Sequence, residues 1–240
     1  MVENHGNLFI IPSSIEQLEN VPFLLEEQKK LLYNIKYFIV ENEKVSRKTI
    51  KELNLKTKLQ SIMLFKHNDI LSNLDKYFIP IYNGEDMGLL SDSGTPCIAD
   101  PGSKIVEYAH LKNIKIQPLV GPSSIILSLM ASGFNGQNFK FHGYIPKNSH
   151  DKENYIKKMM RSIQKERETQ IFIETPYRNQ KLLYEFLKVL NNNTYLCIAK
   201  NIGSNNEYIK TKKIHEWKKL KFTIDKEPTI FVFHSGEIIS

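Results

Sequence analysis

Short apolar runs recur along this chain, and each ends abruptly in small, polar or ring-locked residues. Residues 8–11 (LFII) stop at Pro12-Ser13-Ser14, and 37–40 (YFIV) stop at Glu41-Asn42-Glu43-Lys44. Residues 61–65 (SIMLF) give way to Lys66-His67-Asn68, and Leu89-Leu90 lead into Ser91. Runs this short and this apolar read as strands buried on both faces. Between them lie stretches with helical apolar spacing: residues 17–33, starting near Asn20-Val21-Pro22, and a segment from Ser103 onward. Strands alternating with helices confine a chain to an α/β fold with a parallel sheet. Residues 71–82 mix helical and extended features and fix neither. Residues 114–120 (IKIQPLV) form a further extended run, closed by Gly121-Pro122-Ser123-Ser124 and followed by an apolar helix over 125–130 that ends at Gly133.

From Asn138 the pattern restarts. Residues 139–143 alternate, 148–167 form a charged helix, and 170–173 (QIFI) make a strand ending in Glu174-Thr175-Pro176-Tyr177-Arg178. A helix over 179–190 and a strand over 195–199 follow, with the exit Lys200-Asn201-Ile202-Gly203. Two later runs, 207–212 and 229–233, read as antiparallel strands flanking the lysine-rich segment 212–221 around Trp217. The expectation is two α/β domains, 1–118 and 119–240, facing each other across a cleft; a chain of 240 residues is long enough for each to bury a core.

Composition narrows the classes. With 41% hydrophobic and 25% charged residues the chain reads as globular, and no apolar run approaches a bilayer span. The opening MVENHGNLF lacks a signal sequence, so a cytoplasmic location is expected, with no membrane association. Cys97 and Cys197 are too few for a disulfide framework or a metal cluster and are expected to be reduced thiols. The formal net charge of +7 suits a polyanionic partner such as RNA, although a lysine-rich composition alone produces the same surplus.

The most distinctive stretch is 89–102, LLSDSGTPCIADPG. Its low side-chain bulk lets a ligand approach the backbone, while Pro96 and Pro101 fix φ and stiffen the loop. Stiff loops at strand ends are where α/β proteins hold cofactors. The chain has no GxxxxGK[ST], no GxGxxG after a strand, no GxSxG and no metal-ligand spacing. What remains are small-residue loops suited to a polar cofactor that carries its own chemistry.

Taken together and in order, LFIIPSS, SDSGTPCIADPG, VGPSSIILSLMASG, FHGYIP and IETPYR resemble the tetrapyrrole methylase superfamily of S-adenosylmethionine-dependent methyltransferases. Within it they look most like the branch that methylates a ribose 2′-hydroxyl of cytidine in small-subunit ribosomal RNA. The resemblance implies two α/β domains with the cofactor in the cleft between them, and a homodimer. It places Pro12, Asp92, Ser93, Gly94, Thr95, Ile98, Ser123 and Ser124 at the cofactor, with Thr175, Ile202 and Pro228 completing its pocket.

This chain also departs from that pattern. The first loop reads Pro12-Ser13-Ser14-Ile15-Glu16-Gln17-Leu18 where the family has P-x-G-N-L, and A-E-D-T-R becomes Val40-Glu41-Asn42-Glu43-Lys44. The family's Glu-Leu-Thr-Lys corresponds to Asn201-Ile202-Gly203-Ser204. Transfer to a sugar hydroxyl needs an acceptor for its proton. Glu41, Asp100 and Glu174 each sit at or just beyond a strand end, and the sequence singles out none of them. Lys44, Arg47 and Arg178 are candidates to hold substrate phosphates. Two other functions stay open on sequence alone: methylation of a small molecule or another RNA, and a cofactor-binding module without transfer.

Overall fold

A computed structural model describes residues 5–15, 23–146 and 148–235, and the chain divides into two compact units, Met1–Ser123 and Ser124–Ser240. In the first unit β1 (Leu8–Ile11), β2 (Tyr37–Val40), β3 (Met63–Lys66), β4 (Met87–Leu90) and β5 (Ile116–Pro118) form one sheet in the order β3-β2-β4-β1-β5. All pairings are parallel. The connections contain α1 (Glu26–Leu32), α2 (Glu43–Glu52), α3 (His67–Ile70), α4 (Leu74–Tyr77), α5 (Ile79–Tyr82) and α6 (Ser103–Leu111).

Successive strand residues point to opposite faces, so the continuous apolar runs supply two cores at once. Phe9, Ile11, Phe38, Val40 and Leu90 pack on one face with Leu24, Leu32 and Ile50. Leu8, Ile39, Met87 and Leu89 pack on the other with Phe78, Ile105 and Ala109. Each of the Leu, Ile, Val, Phe and Met side chains contributes roughly 1.5–3 kcal/mol on burial.

The helix expected over 17–33 is realised as α1, beginning at Glu26, and positions 16–22 lie outside the described residues. The stretch 71–82, ambiguous in its pattern, is two single turns, α4 and α5, with Pro80 in the first turn of α5. Proline has no N–H to continue a preceding helix, which is why the periodicity there is broken. The third strand starts at Met63, because a 3₁₀ turn over Leu59–Ser61 precedes it.

The second unit contains α7 (Ser124–Ser132), β6 (Phe139–Tyr144), α8 (Ser149–Glu166), β7 (Thr169–Ile173), α9 (Pro176–Val189), β8 (Tyr195–Lys200), β9 (Tyr208–Lys213), α10 (Ile214–Lys219) and β10 (Thr229–His234). Its sheet runs β6-β7-β10-β8-β9, with β6 and β7 parallel and the remaining pairs antiparallel. Phe172, Leu196, Ile198, Phe231 and Phe233 face Ile156, Leu183, Phe186 and Trp217 in its core. The Trp217 indole donates to the Leu196 carbonyl at 2.9 Å, so its one polar atom is satisfied inside the core. Among the described residues no helix is long and apolar enough to cross a membrane.

Candidate cofactor and substrate site

A parallel sheet delivers every strand-exit loop to the same end. In the first unit that end carries Pro12-Ser13 after β1, Glu41-Asn42 after β2, Ser91–Thr95 after β4 and Leu119–Ser123 after β5. From β1 the chain runs past β4 to β2, and from β4 it runs past β1 to β5. The two neighbouring strands therefore send their loops in opposite directions. Such a reversal, here at the carboxyl ends of β1 and β4, is where doubly wound sheets form the crevice that takes ligands.

The crevice walls are tied to one another. The Ser13 N–H donates to the Gly94 carbonyl at 2.8 Å and the Gly94 N–H returns a bond to the Ser13 carbonyl at 3.2 Å. The buried Ser13 hydroxyl donates to the Ser91 carbonyl at 2.7 Å, and the Ser91 hydroxyl to the Gly94 carbonyl at 2.9 Å. The Ser93 hydroxyl donates to the Ser14 carbonyl at 3.4 Å, and that of Thr95 to the Pro122 carbonyl at 3.0 Å. Gly94 has φ +71°, and Cys97 and Ala99 are also left-handed, at 68° and 65°. Such conformations are costly for residues with a Cβ, and they persist where neighbouring contacts over-determine the loop. At Gly121 a Cβ would lie 2.2 Å from Pro12 Cγ, so the exit of β5 passes against Pro12 with no room for a side chain.

The structure thus gathers Pro12, Asp92, Ser93, Gly94 and Thr95 with the segment leading into Ser123. Pro12 and Gly94 are buried, Asp92 and Thr95 half-buried, and Ser93 exposed. Ile98 belongs to the same loop and is 49% exposed, an apolar side chain left open to solvent. Ser124 opens α7 of the second unit.

Electrostatics mark the same end of the sheet. Asn42 caps α2, its side chain accepting from the Lys44 N–H at 3.0 Å, while its own N–H donates to Asp92 Oδ1 at 3.2 Å. This fixes Glu41 beside the β4 loop. Burial, then the Asp100 carboxylate, then that of Asp92 push Glu41 up from 4.5 to about 7, against a hydrogen bond from the Asp92 backbone. Burial and then Asp92 raise Asp100 from 3.8 to about 6. Burial also raises Asp92. One carboxylate oxygen, Glu41 Oε1, is buried without a hydrogen-bond partner among the described residues. Desolvated like charges repel one another and hold protons near neutrality, the condition in which a carboxyl group can exchange a proton at cellular pH.

The remaining sequence candidates are on α2 of the first unit and in the second unit. Lys44 and Arg47 are exposed on α2, and Arg47 pairs with Glu43 at 3.9 Å. In the second unit Glu174 follows β7 and its side chain is 6% exposed, held by the Arg178 guanidinium and by the Thr175 N–H at 2.6 Å. Exposed Thr175, buried Ile202 and exposed Pro228 sit at one end of the second sheet, where the Asn201 N–H donates to the Pro228 carbonyl at 3.0 Å. Sequence reasoning missed Ser13, Ser91 and Gly121 as the locks of the first site. A serine close behind each central strand was the available signal. It also missed that Glu41, Asp92 and Asp100 act on one another, because that depends on β2 and β4 being neighbours.

Comparison with known proteins gives a consistent picture. Residues 16–217 match the model of the Tetrapyrrole (Corrin/Porphyrin) Methylases. A curated protein of Buchnera aphidicola subsp. Schizaphis graminum, named Ribosomal RNA small subunit methyltransferase I, is 32% identical over 204 residues, 85% of this chain and 68% of its own length. Its namesake from Vibrio cholerae is 29% identical over 202 residues, covering 84% and 67%. Among solved structures, uroporphyrin-III-C-methyltransferase from Thermus thermophilus superposes with a TM-score of 0.55 at 13% identity, over 96% of this chain and 92% of that one, a likeness of fold.

Proposed function

We propose that this chain, which belongs to the tetrapyrrole methylase family, is an S-adenosylmethionine-dependent methyltransferase acting on a ribose 2′-hydroxyl of small-subunit ribosomal RNA. The observation that carries this reading is the β1–β4 switch point, whose exit loops are tied together by the Ser13–Gly94 pair and stand beside the half-buried carboxylates Glu41, Asp92 and Asp100. The names of the aligned relatives support the ribosomal RNA target.

The residues present fit the cofactor. S-adenosylmethionine is cationic at its sulfonium and ammonium groups, and the crevice offers Asp92, Asp100 and the orphaned Glu41 Oε1 as acceptors. When bound, the cofactor supplies an electrophilic methyl group that needs neither metal nor covalent enzyme intermediate. Pro12, Asp92, Ser93, Gly94, Thr95, Ile98 and Ser123 are assigned to hold it. Ser124, Thr175, Ile202 and Pro228 are assigned by resemblance alone. A backbone already locked by the Ser13–Gly94 pair loses little entropy on binding, and orientation of nucleophile and methyl carbon supplies on the order of 7–11 kcal/mol in favourable cases.

A sugar hydroxyl becomes a competent nucleophile only as its proton departs. Glu41 is assigned to accept it: the O–H bond breaks toward the Glu41 carboxylate as the ribose oxygen takes the methyl group that the bound cofactor would supply. A base titrating near neutrality is substantially charged at cellular pH yet still basic enough to matter. Glu174, engaged by Arg178 and Thr175, is less free to take part. The same reading includes a cytoplasmic location, shared with the ribosomal substrate, and a homodimeric state.

Radiolabelled methyl transfer tests the assignment. Small ribosomal subunits lacking the modification take up label in their RNA under this reading, whereas large subunits do not. Label confined to a small-molecule fraction of cell extract would replace it with a different acceptor.

A further inference from the structure

The positive charge of this chain is not spread evenly. Residues 208–221 hold six lysines and one glutamate, a surplus of five positive charges in a chain whose formal net charge is +7. The fold makes this segment the outer boundary of the second unit. β9 is an edge strand of the sheet and α10 follows it without a break. Ile214 and Trp217 turn into the core, while Lys210, Lys218, Lys219 and Lys221 are exposed.

Elsewhere several lysines of this protein find carboxylates: Lys36 pairs with Glu85, Lys112 with Asp75, Lys152 with Glu185 and Lys200 with Glu227. Among the described residues none of the six lysines of the β9–α10 edge is within ion-pair distance of a carboxylate. Two rest on neutral groups that hold the side chain. Lys213 Nζ lies over the Tyr195 ring, 5.3 Å from its centroid, and Lys218 Nζ donates to Asn192 Oδ1 at 2.8 Å. The segment's one acid, Glu216, is held below its usual range by the Lys213 backbone N–H and by the charges of Lys212, His215 and Lys213.

Cations along an edge strand and the following helix match a polyanion whose charges are themselves spaced along a line. We infer that the β9–α10 edge is an RNA-docking surface that grips the phosphate backbone through Lys210, Lys219 and Lys221. This rests on the ribosomal RNA reading for its biological partner. The surface carries affinity and positioning, not sequence choice, since the groups it presents are point charges on flexible stems.

Salt dependence of binding reads phosphate neutralisation directly. A fluorescent RNA hairpin is titrated with the full-length protein at several salt concentrations, using wild type, Lys210→Ala/Lys219→Ala/Lys221→Ala, and the equally charged control Lys51→Ala/Lys104→Ala/Lys115→Ala, whose lysines are exposed in the first unit. Each phosphate that a cation neutralises contributes about 0.7–0.9 to the steepness of log K against log salt. The edge variant is therefore expected to bind with a slope shallower by about 2–3, while the control keeps the wild-type value. Equal slopes for wild type and the edge variant, or equally shallow slopes in both variants, would overturn the inference. Unchanged S-adenosylmethionine binding and melting temperature show that the edge variant is folded. Because binding is read without methyl transfer, a wrong methyl acceptor leaves this result standing, and a wrong docking surface leaves the transfer assay standing.

Discussion

Ser13 and Gly94 exchange both of their backbone hydrogen bonds, at 2.8 and 3.2 Å, and so join the loops leaving the two neighbouring strands β1 and β4. The crevice is preorganised by this pair together with the Ser13 hydroxyl, which donates to the Ser91 carbonyl at 2.7 Å in a buried setting. Ser13→Ala removes that bond and is expected to cost about 1–2 kcal/mol. Gly121→Ala forces a Cβ to within 2.2 Å of Pro12 Cγ and is expected to cost about 1–3 kcal/mol through overpacking. Both variants should melt earlier by calorimetry and bind S-adenosylmethionine more weakly by titration. Unchanged cofactor affinity in both would remove these loops from the binding site.

Proton binding at Glu41 links the site to stability. Its folded value of about 7 lies above its ordinary 4.5, so the folded chain holds the proton more tightly than the unfolded chain. The stability this contributes is fully present below pH 4.5 and is lost as pH rises through about 7. Glu41→Gln, which cannot ionise, should therefore stabilise the protein relative to wild type at pH 8 by on the order of 1–2 kcal/mol, allowing for partial solvent screening, with the gain vanishing near pH 4. Denaturant melts at the two pH values measure the difference directly.

Catalysis should follow the same group with the opposite preference. With Glu41 as the proposed proton acceptor, which acts in its charged form, kcat/KM is expected to rise with pH through about 7 and then level. Glu41→Gln should lower the plateau by about 10²–10⁴-fold and abolish the rise. Asp100→Asn removes the stronger of the two repelling carboxylates and should move the rise to lower pH. A pH profile of Glu41→Gln parallel to that of wild type would take the role away from Glu41.

Glu174 and Arg178 stabilise one another in the second unit. Arg178→Ala leaves a carboxylate that is 6% exposed without its cation, and is expected to cost about 3–5 kcal/mol. Adding Glu174→Gln removes the stranded charge and should restore most of that stability. Chemical denaturation of the two single variants and the double variant gives the coupling.

Much of this was legible in the residues. The alternation of apolar runs with helical spacing yields β1, β2 and β4 because strands buried on both faces must be continuously apolar, as 8–11 and 37–40 are, while the edge strands β3 and β5 are only partly buried. The 89–102 loop stood out through its glycines and prolines. The register that sets Glu41 beside Asp92 and Asp100 was not legible, since β4 inserts between β1 and β2 in space but follows both in sequence. The split of 71–82 into α4 and α5 escaped because a proline inside a helical pattern interrupts it without naming the new boundary. Nor did the lysine run 212–221 reveal that it straddles β9 and α10, as lysine suits a strand edge and a helix end alike.

Alkaline digestion of the methylated RNA tests the central claim most directly. Alkali cleaves RNA through the ribose 2′-oxygen, so a methylated 2′-hydroxyl leaves one linkage intact. After transfer of labelled methyl from S-adenosylmethionine to small ribosomal subunits, the label should survive in an alkali-resistant dinucleotide from small-subunit RNA. Label released wholly as mononucleotide would place the methyl on a base and contradict the account.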